Sequence, residues 1–332
     1  MTNRPEASAE DSLIARYFKP LATDPGAFGL IDDAAILNTS GDDAVLKTDA
    51  IVEGVHFLPD DPPDTVARKA LRINLSDLAA KGATPAGFML TLALRSAEEA
   101  WLSDFARALG EDANQFGCPL LGGDTVSTPG PMMVSIAAFG RVPPGKMVRR
   151  SGAKPGDRVV VTGTIGDAWL GLNILKGGPV GVSLAADPAA RAMLVGRYRV
   201  PQPRNALSSA VRDLANAAMD VSDGLAGDFT KLCAASAVSA AIELKSVPLS
   251  AAATELVARG ITTLQTLISA GDDYEILCTV PEARYAAFVE AARRAGVDVT
   301  SIGTIIAGNE GPRFLNAQGR EVALERLSYS HF

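Results

Sequence analysis

The chain has 332 residues, 47% hydrophobic and 21% charged, a length and balance that suit two soluble globular domains of about 150 residues each. Its formal net charge of −7 argues against a general nucleic-acid or anionic-membrane surface, and no apolar run reaches the roughly 18 residues of a membrane span. Cys118, Cys233 and Cys278 show neither zinc spacing nor a disulfide framework, which points to packing roles in a reducing cytoplasm. Residues 1–11 are polar and acidic, without the apolar region of a signal peptide.

In chain order, residues 12–19 read as a short helix capped by Ser12. Strands are predicted at 34–37, 44–49, 86–94 and 132–142, all rich in Val, Ile, Leu or Phe. Residues 63–81 space Val66, Ala70, Ile73 and Leu78 as a helix does, and 98–116 place Trp101, Phe105, Leu109 and Phe116 on one helical face. The stretch from Pro143-Pro144-Gly145 to Pro155-Gly156-Asp157 combines two breaks with the basic cluster Lys146, Arg149, Arg150, Lys154 and Arg158. It is the predicted boundary, giving domains at 1–148 and 149–332. Beyond it the pattern predicts a strand at 158–162, a helix at 167–175, a polar linker, a helix around 205–217 and another from Asp223-Gly224. A strand at 276–280, a helix at 282–295 and strands near 301–304 and 313–315 follow. Strands and helices alternate in both halves, so a two-domain α/β or α+β fold is expected.

The chemistry rests on aspartates. Asp32-Asp33, Thr48-Asp49, Ser76-Asp77, Gly122-Gly123-Asp124-Thr125 and Asp220-Val221-Ser222-Asp223-Gly224 read as acid motifs in short Gly- and Ser-rich turns, without a histidine or cysteine partner. Carboxylates gathered in that number need cations, and hard oxygen donors select Mg²⁺, Ca²⁺ or Mn²⁺ over zinc or copper. Mg²⁺ is commonly held by one or two carboxylates plus substrate phosphates, so an enzyme handling phosphate is expected. Each motif also has a bland reading: an Asx turn at Asp124, an N-cap at Ser222 or Asp223, a strand-bounding acid at Asp49. His56, flanked by apolar residues, reads as a satisfied structural group or as a ligand. Gly163-Thr164-Ile165-Gly166-Asp167 follows a strand but lacks both the Walker A and the dinucleotide spacing. Arg149-Arg150 can meet phosphate or simply face solvent.

Taken in order, the motifs resemble the thiamine-monophosphate kinase family, of the ATP-binding superfamily that includes aminoimidazole ribonucleotide synthetase. The resemblance covers nearly the whole chain. Besides the acid motifs it includes Glu53-Gly54-Val55-His56-Phe57, Asn74-Leu75-Ser76-Asp77-Leu78, Arg150-Ser151-Gly152, Gly271-Asp272-Asp273-Tyr274-Glu275 and Tyr329-Ser330-His331-Phe332. It implies transfer of the γ-phosphoryl group of ATP onto thiamine monophosphate, giving thiamine diphosphate. It implies magnesium at Asp33, Thr48, Asp49, Asp77, Asp124, Asp220 and Asp223, with Asp49, Asp77, Asp124 and Asp223 central to catalysis. ATP would meet Gly123, Asp124, Arg150 and Ser222, and thiamine monophosphate would meet His56, Asp272 and Tyr329. The implied fold has an N-terminal domain that dimerises through its sheet and a C-terminal domain closing an active-site cleft. Three positions depart from the family: Ile31 replaces a usual Gly, Lys47 a usual metal-contacting hydroxyl, and Asp272 a usual Glu. The rival activities are a purine-pathway synthetase and a selenophosphate-type enzyme. The latter needs a reactive Cys near the N-terminus, where the first 117 residues hold none.

Overall fold

The computed structural model describes residues 13–25, 27 and 37–328. They divide into two units: one holds the chain up to Leu75 with Pro85–Pro143, the other Ser76–Thr84 with the chain from Pro144 onward. The first contains β1 (Asp43–Val52), α1 (Pro63–Ala80), β2 (Thr84–Leu94), α2 (Glu99–Phe116), β3 (Leu120–Ser127) and β4 (Met133–Val142). The last turn of α1, from Ser76 to Ala80, groups with the second unit.

The sheet of the first unit runs β1-β4-β2-β3, and its faces follow from the two-residue period of a strand. Strand β4 buries Val134, Ile136, Ala138, Gly140 and Val142 and leaves the residues between them half-buried. Antiparallel pairing sets Lys47 opposite Ala138 and Asp49 opposite Ile136, hence on the buried face, while Thr48 sits opposite Ala137 on the open one. Parallel pairing of β2 with β3 puts Gly123 beside the buried Leu90 and Asp124 beside Thr91, on the open face. A Cβ at Gly123 would stand 1.9 Å from the Leu90 carbonyl oxygen, so no other residue fits. Helices α1 and α2 are tied by Arg72, whose guanidinium donates to both Asp112 carboxylate oxygens at 2.6 and 2.9 Å.

The second unit is a sandwich. Its strands are β5 (Arg158–Thr162), β6 (Ala217–Asp220), β7 (Ser239–Glu243), β8 (Ile276–Val280), β9 (Val299–Ile306) and β10 (Gly311–Leu315), ordered β10-β7-β9-β5-β8-β6. Its helices are α3 (Asp167–Leu175), α4 (Pro179–Ser183), α5 (Pro188–Arg199), α6 (Ser208–Leu214), α7 (Leu225–Ser236), α8 (Ala251–Ala258), α9 (Leu264–Ile268) and α10 (Glu282–Arg294). Val159, Val161, Met219 and Leu277 pack with Phe229 and Leu232 of α7. Val160, Ala218, Ile276 and Cys278 pack with Val211 of α6 and Phe288 of α10. Strands such as Ile276–Val280, apolar but for Thr279 and buried at every residue, are what a sheet covered on both faces requires.

The turn reading is corrected for Gly122-Gly123-Asp124-Thr125, which lies inside β3. Thr48-Asp49 lies inside β1 and Ser76-Asp77 in the last turns of α1, within the strand predicted at 44–49 and the helix predicted at 63–81. The glycines of β3 mark a close backbone approach rather than a turn. The expected polar linker holds α4 and α5, and the helix expected to reach 217 stops at Leu214, because Ala217 already pairs with Thr279 of β8. Of the strand expected at 34–37, all but Leu37 lies outside the described residues, and Leu37 is not in a strand. The turn Ile14–Phe18 is helical, of the wide five-residue type.

Candidate active site

In the first unit, Asp49 and Asp124 occupy the two edge strands and opposite faces of one sheet. Three strand spacings separate those edges, about 14 Å. One ion therefore cannot be shared by the two side chains of a single sheet. Thr48 and Asp124 are exposed and Asp49 half-buried. Lys47, two residues before Asp49 and so on its face, brings its ammonium to 3.0 Å from Asp49 Oδ1. His56 accepts the Val52 N–H at Nδ1 over 3.1 Å, and the buried Lys69 donates to the His56 carbonyl at 2.8 Å. With Nδ1 an acceptor, the neutral ring carries its proton on Nε2.

The second unit draws three motif segments together. Asp77 sits in the last turn of α1, which carries no basic residue. An acid there opposes the helix dipole at a cost of about 0.3–1 kcal/mol, so stability does not account for it. Beside it, the buried Ser76 hydroxyl donates to the Tyr274 carbonyl at 3.4 Å. Segment 271–275 lies along segment 221–222: the Asp272 N–H donates to the Ser222 carbonyl, and the Tyr274 N–H to Val221, both at 2.8 Å. The Val221 N–H donates back to Glu275 at 2.8 Å. Gly271 has no room for a side chain, since a Cβ would stand 2.4 Å from the Ser222 oxygen. Asp272 and Tyr274 hold left-handed backbones, φ 71° and 51°, a conformation that non-glycine residues adopt only when their surroundings impose it. Asp220, ending β6, is buried.

Asp228 was not read from the sequence as a site residue, yet it shapes the site. Its Oδ2 accepts the Ser222 and Asp223 N–H groups at 3.0 and 2.9 Å, and its Oδ1 meets Lys231 at 2.9 Å. Lys231 also meets Asp223 Oδ2 at 2.6 Å. Burial pushes the Asp228 carboxyl above its ordinary range, against the opposing pull of Lys231. The legible signal was an acid in the first turn of a helix that follows a Ser-Asp-Gly turn. Arg150 is exposed, while its carbonyl accepts from Ser236 Oγ at 2.8 Å. Asp33 and Tyr329 lie outside the described residues.

Among the described residues no three His, Cys, Asp or Glu side chains stand close enough to hold one metal ion. The donor set nonetheless fits a hard cation. It is made of carboxylate and hydroxyl oxygens, and two of its acids, Asp49 and Asp223, already bear an ammonium group at contact distance. Gly163-Thr164-Ile165-Gly166, considered above as a nucleotide loop, instead backs acids: the Gly166 N–H donates to both oxygens of Asp273, at 2.9 and 2.8 Å.

Residues 31–142 match the N-terminal domain, and residues 154–315 the C-terminal domain, of AIR synthase related protein. A two-sheet α/β chain with acids on strand interiors and helix ends is thus of that class. More narrowly, it is 44% identical over 324 residues to the thiamine-monophosphate kinase of Caulobacter vibrioides, covering 96% of this chain and 89% of the relative. The crystal structure of thiamine-monophosphate kinase from Stenotrophomonas maltophilia K279a superposes with a TM-score of 0.83 at 35% identity, covering 95% of this chain and 98% of that one. AaThiL complexed with AMPPCP and TMP aligns at a TM-score of 0.76 and 29% identity, over 92% of this chain and 97% of that one. The chain belongs to the thiamine-monophosphate kinase family of AIR synthase related proteins.

Proposed function

We propose that the chain transfers the γ-phosphoryl group of ATP to the phosphate of thiamine monophosphate, making thiamine diphosphate. The observation that carries this reading is the joining, in the second unit, of Ser76-Asp77, Ser222-Asp223 and Gly271-Asp272 by Ser76, Asp272 and Tyr274 hydrogen bonds. These are segments that nucleotide, metal and acceptor handling would each need. A phosphate monoester is already anionic at neutral pH, so the reaction needs positioning and charge neutralisation rather than a strong base. The scarcity of histidine, two in the chain, agrees with that demand.

Asp33, Thr48, Asp49, Asp77, Asp124, Asp220 and Asp223 are assigned as magnesium ligands, with Asp49, Asp77, Asp124 and Asp223 as catalytic acids. Bound magnesium would neutralise the phosphates. The Gly123 backbone, Asp124, Arg150 and Ser222 are assigned to ATP. His56, Asp272 and Tyr329 are assigned to thiamine monophosphate, where the Asp272 carboxylate attracts the fixed positive thiazolium and Tyr329 stacks on it. We also assign a homodimer formed through the first sheet: its open face carries Leu46, 70% exposed, with Val126, 43% exposed, and half-buried Phe139, apolar surface of the kind a second copy covers. No helix among the described residues is long and apolar enough to cross a membrane. A cytoplasmic enzyme is assigned as part of this reading, since ATP is its phosphoryl donor. Domains are assigned at 1–148 and 149–332.

The test is direct. Purified protein with ATP, Mg²⁺ and thiamine monophosphate yields ADP and thiamine diphosphate, resolved by chromatography. Release of inorganic phosphate with ADP, or no thiamine diphosphate, refutes the assignment.

A further inference from the structure

Two buried acids next to the acceptor segment touch neither nucleotide nor metal acids in this reading, yet both are held by groups from outside that segment. Glu275, fully buried, accepts from Arg197 Nη2 at 2.7 Å, Arg204 Nε at 2.7 Å and Thr162 Oγ1 at 2.6 Å. Asp273, also buried, takes the Gly166 N–H on both oxygens, and its carbonyl accepts from Arg197 Nη2 at 3.3 Å. Gly163 is shaped to this anchor, because a Cβ there would stand 2.2 Å from Glu275 Oε1 and 2.7 Å from Arg204 Nη2. These anchored acids alternate with the two left-handed residues, Asp272 and Tyr274. Such conformations persist only where the surroundings over-determine them. Side chains at 272 and 274 are also joined, the Tyr274 hydroxyl lying 3.3 Å from Asp272 Oδ1.

We propose that Asp273 and Glu275, with Arg197, Arg204, Thr162 and Gly163, are positioning residues. They hold Asp272 and Tyr274 in left-handed backbones and so fix where the Asp272 carboxylate meets the acceptor. The proposal rests on the assignment of Asp272 to the acceptor and goes beyond it, by locating acceptor specificity in a buried ionic anchor. It also gives the Gly163–Gly166 loop its purpose. Gly163 leaves room for one anchored acid, and Gly166 supplies the donor for the other.

The test uses the full chain in steady-state kinetics with each substrate varied in turn. The variants are Glu275→Gln, which keeps shape and removes charge, and Gly163→Ala, which pushes on the anchor from outside the acceptor segment. Arg204→Lys, which breaks the two-pronged contact and keeps the charge, serves if Glu275→Gln does not fold. The expected result is a KM for thiamine monophosphate raised about 10-fold or more, with the KM for ATP within about twofold of wild type. A purely structural role would lower the melting temperature and the active fraction while leaving that KM unmoved. That result, or parallel increases in both KM values, overturns the proposal. Wild-type protein that makes no thiamine diphosphate refutes the kinase reading instead, so the two failures are told apart.

Discussion

Asp228→Asn isolates the carboxylate that organises the Ser222-Asp223 turn. The substitution keeps volume and one acceptor oxygen, so the two amides at 3.0 and 2.9 Å retain a neutral partner. Hydrogen bonds to a charged acceptor are worth about 1.5–3 kcal/mol against about 0.5–1.5 for neutral ones, so roughly 2 kcal/mol is lost over the pair. The new amide nitrogen faces the Lys231 ammonium, donor against donor. That ion pair is worth under about 1 kcal/mol, because Lys231 is 43% exposed. Relief from burying a charge, which is what pushes the Asp228 carboxyl upward, returns about 1 kcal/mol. The net expectation is a destabilisation of about 2 kcal/mol, or roughly 3 °C in melting temperature for a chain of 332 residues. Freed of its anchor, the turn presents Ser222 and Asp223 less accurately, and kcat/KM for ATP falls about 10-fold. Thermal unfolding followed by fluorescence, and ADP release in a coupled assay, give the two readings. A melting temperature within about 1 °C of wild type together with unchanged ATP kinetics would refute the reasoning.

Asp49→Asn and Asp77→Asn each remove a charge at constant shape and should cost at least about 100-fold in kcat/KM, about 2.7 kcal/mol, with little loss of stability; normal turnover of either at limiting Mg²⁺ would falsify its placement as a metal ligand. Asp272→Ala should raise the KM for thiamine monophosphate and spare that for ATP, while Asp272→Glu is tolerated; the reverse pattern would move Asp272 to the nucleotide side. For Asp273, burial outweighs the Gly166 N–H and Arg197, and holds the carboxyl well above its ordinary range. The stability it lends is therefore complete below its unfolded-state value, about 3.9, and is lost as pH rises through the folded-state value. The melting temperature of Asp273→Asn should accordingly gain on wild type with rising pH, and parallel curves from about pH 5 to 9 would contradict this. Removing the Lys47 ammonium with Lys47→Met takes away the cation beside Asp49 Oδ1 and should lower the half-saturating Mg²⁺ about twofold to fivefold, read from activity titrations.

The long periodic elements were legible because their patterns are local. Val66, Ala70, Ile73 and Leu78 announce α1, and the run at Ile276–Val280, apolar but for Thr279, announces β8. Strand β3 was not legible, because Gly122-Gly123-Asp124 has the composition of a turn, and only the neighbouring Leu90 carbonyl explains it. The small and polar residues of α5, around Ala190, Gly196 and Arg197, hid a helix whose buried positions are Leu194 and Tyr198. The acid motifs could be named from sequence, but not how they are spread. That Thr48 and Asp49 face opposite ways, or that Asp228 supports Ser222, depends on register and on a helix start, neither of which a motif encodes.

The three thiols carry one more consequence. Cys118 in the first unit and Cys233 and Cys278 in the second are fully buried, and burial pushes each thiol up to about 12. In the folded chain none reacts with alkylating reagents at neutral pH, since the thiolate is the nucleophile. Modification then requires local opening, and its rate becomes a clock for that opening, kept separately in each unit. Mass-resolved labelling, with and without ATP, would reveal which half a ligand quiets, with no dye or engineered probe added.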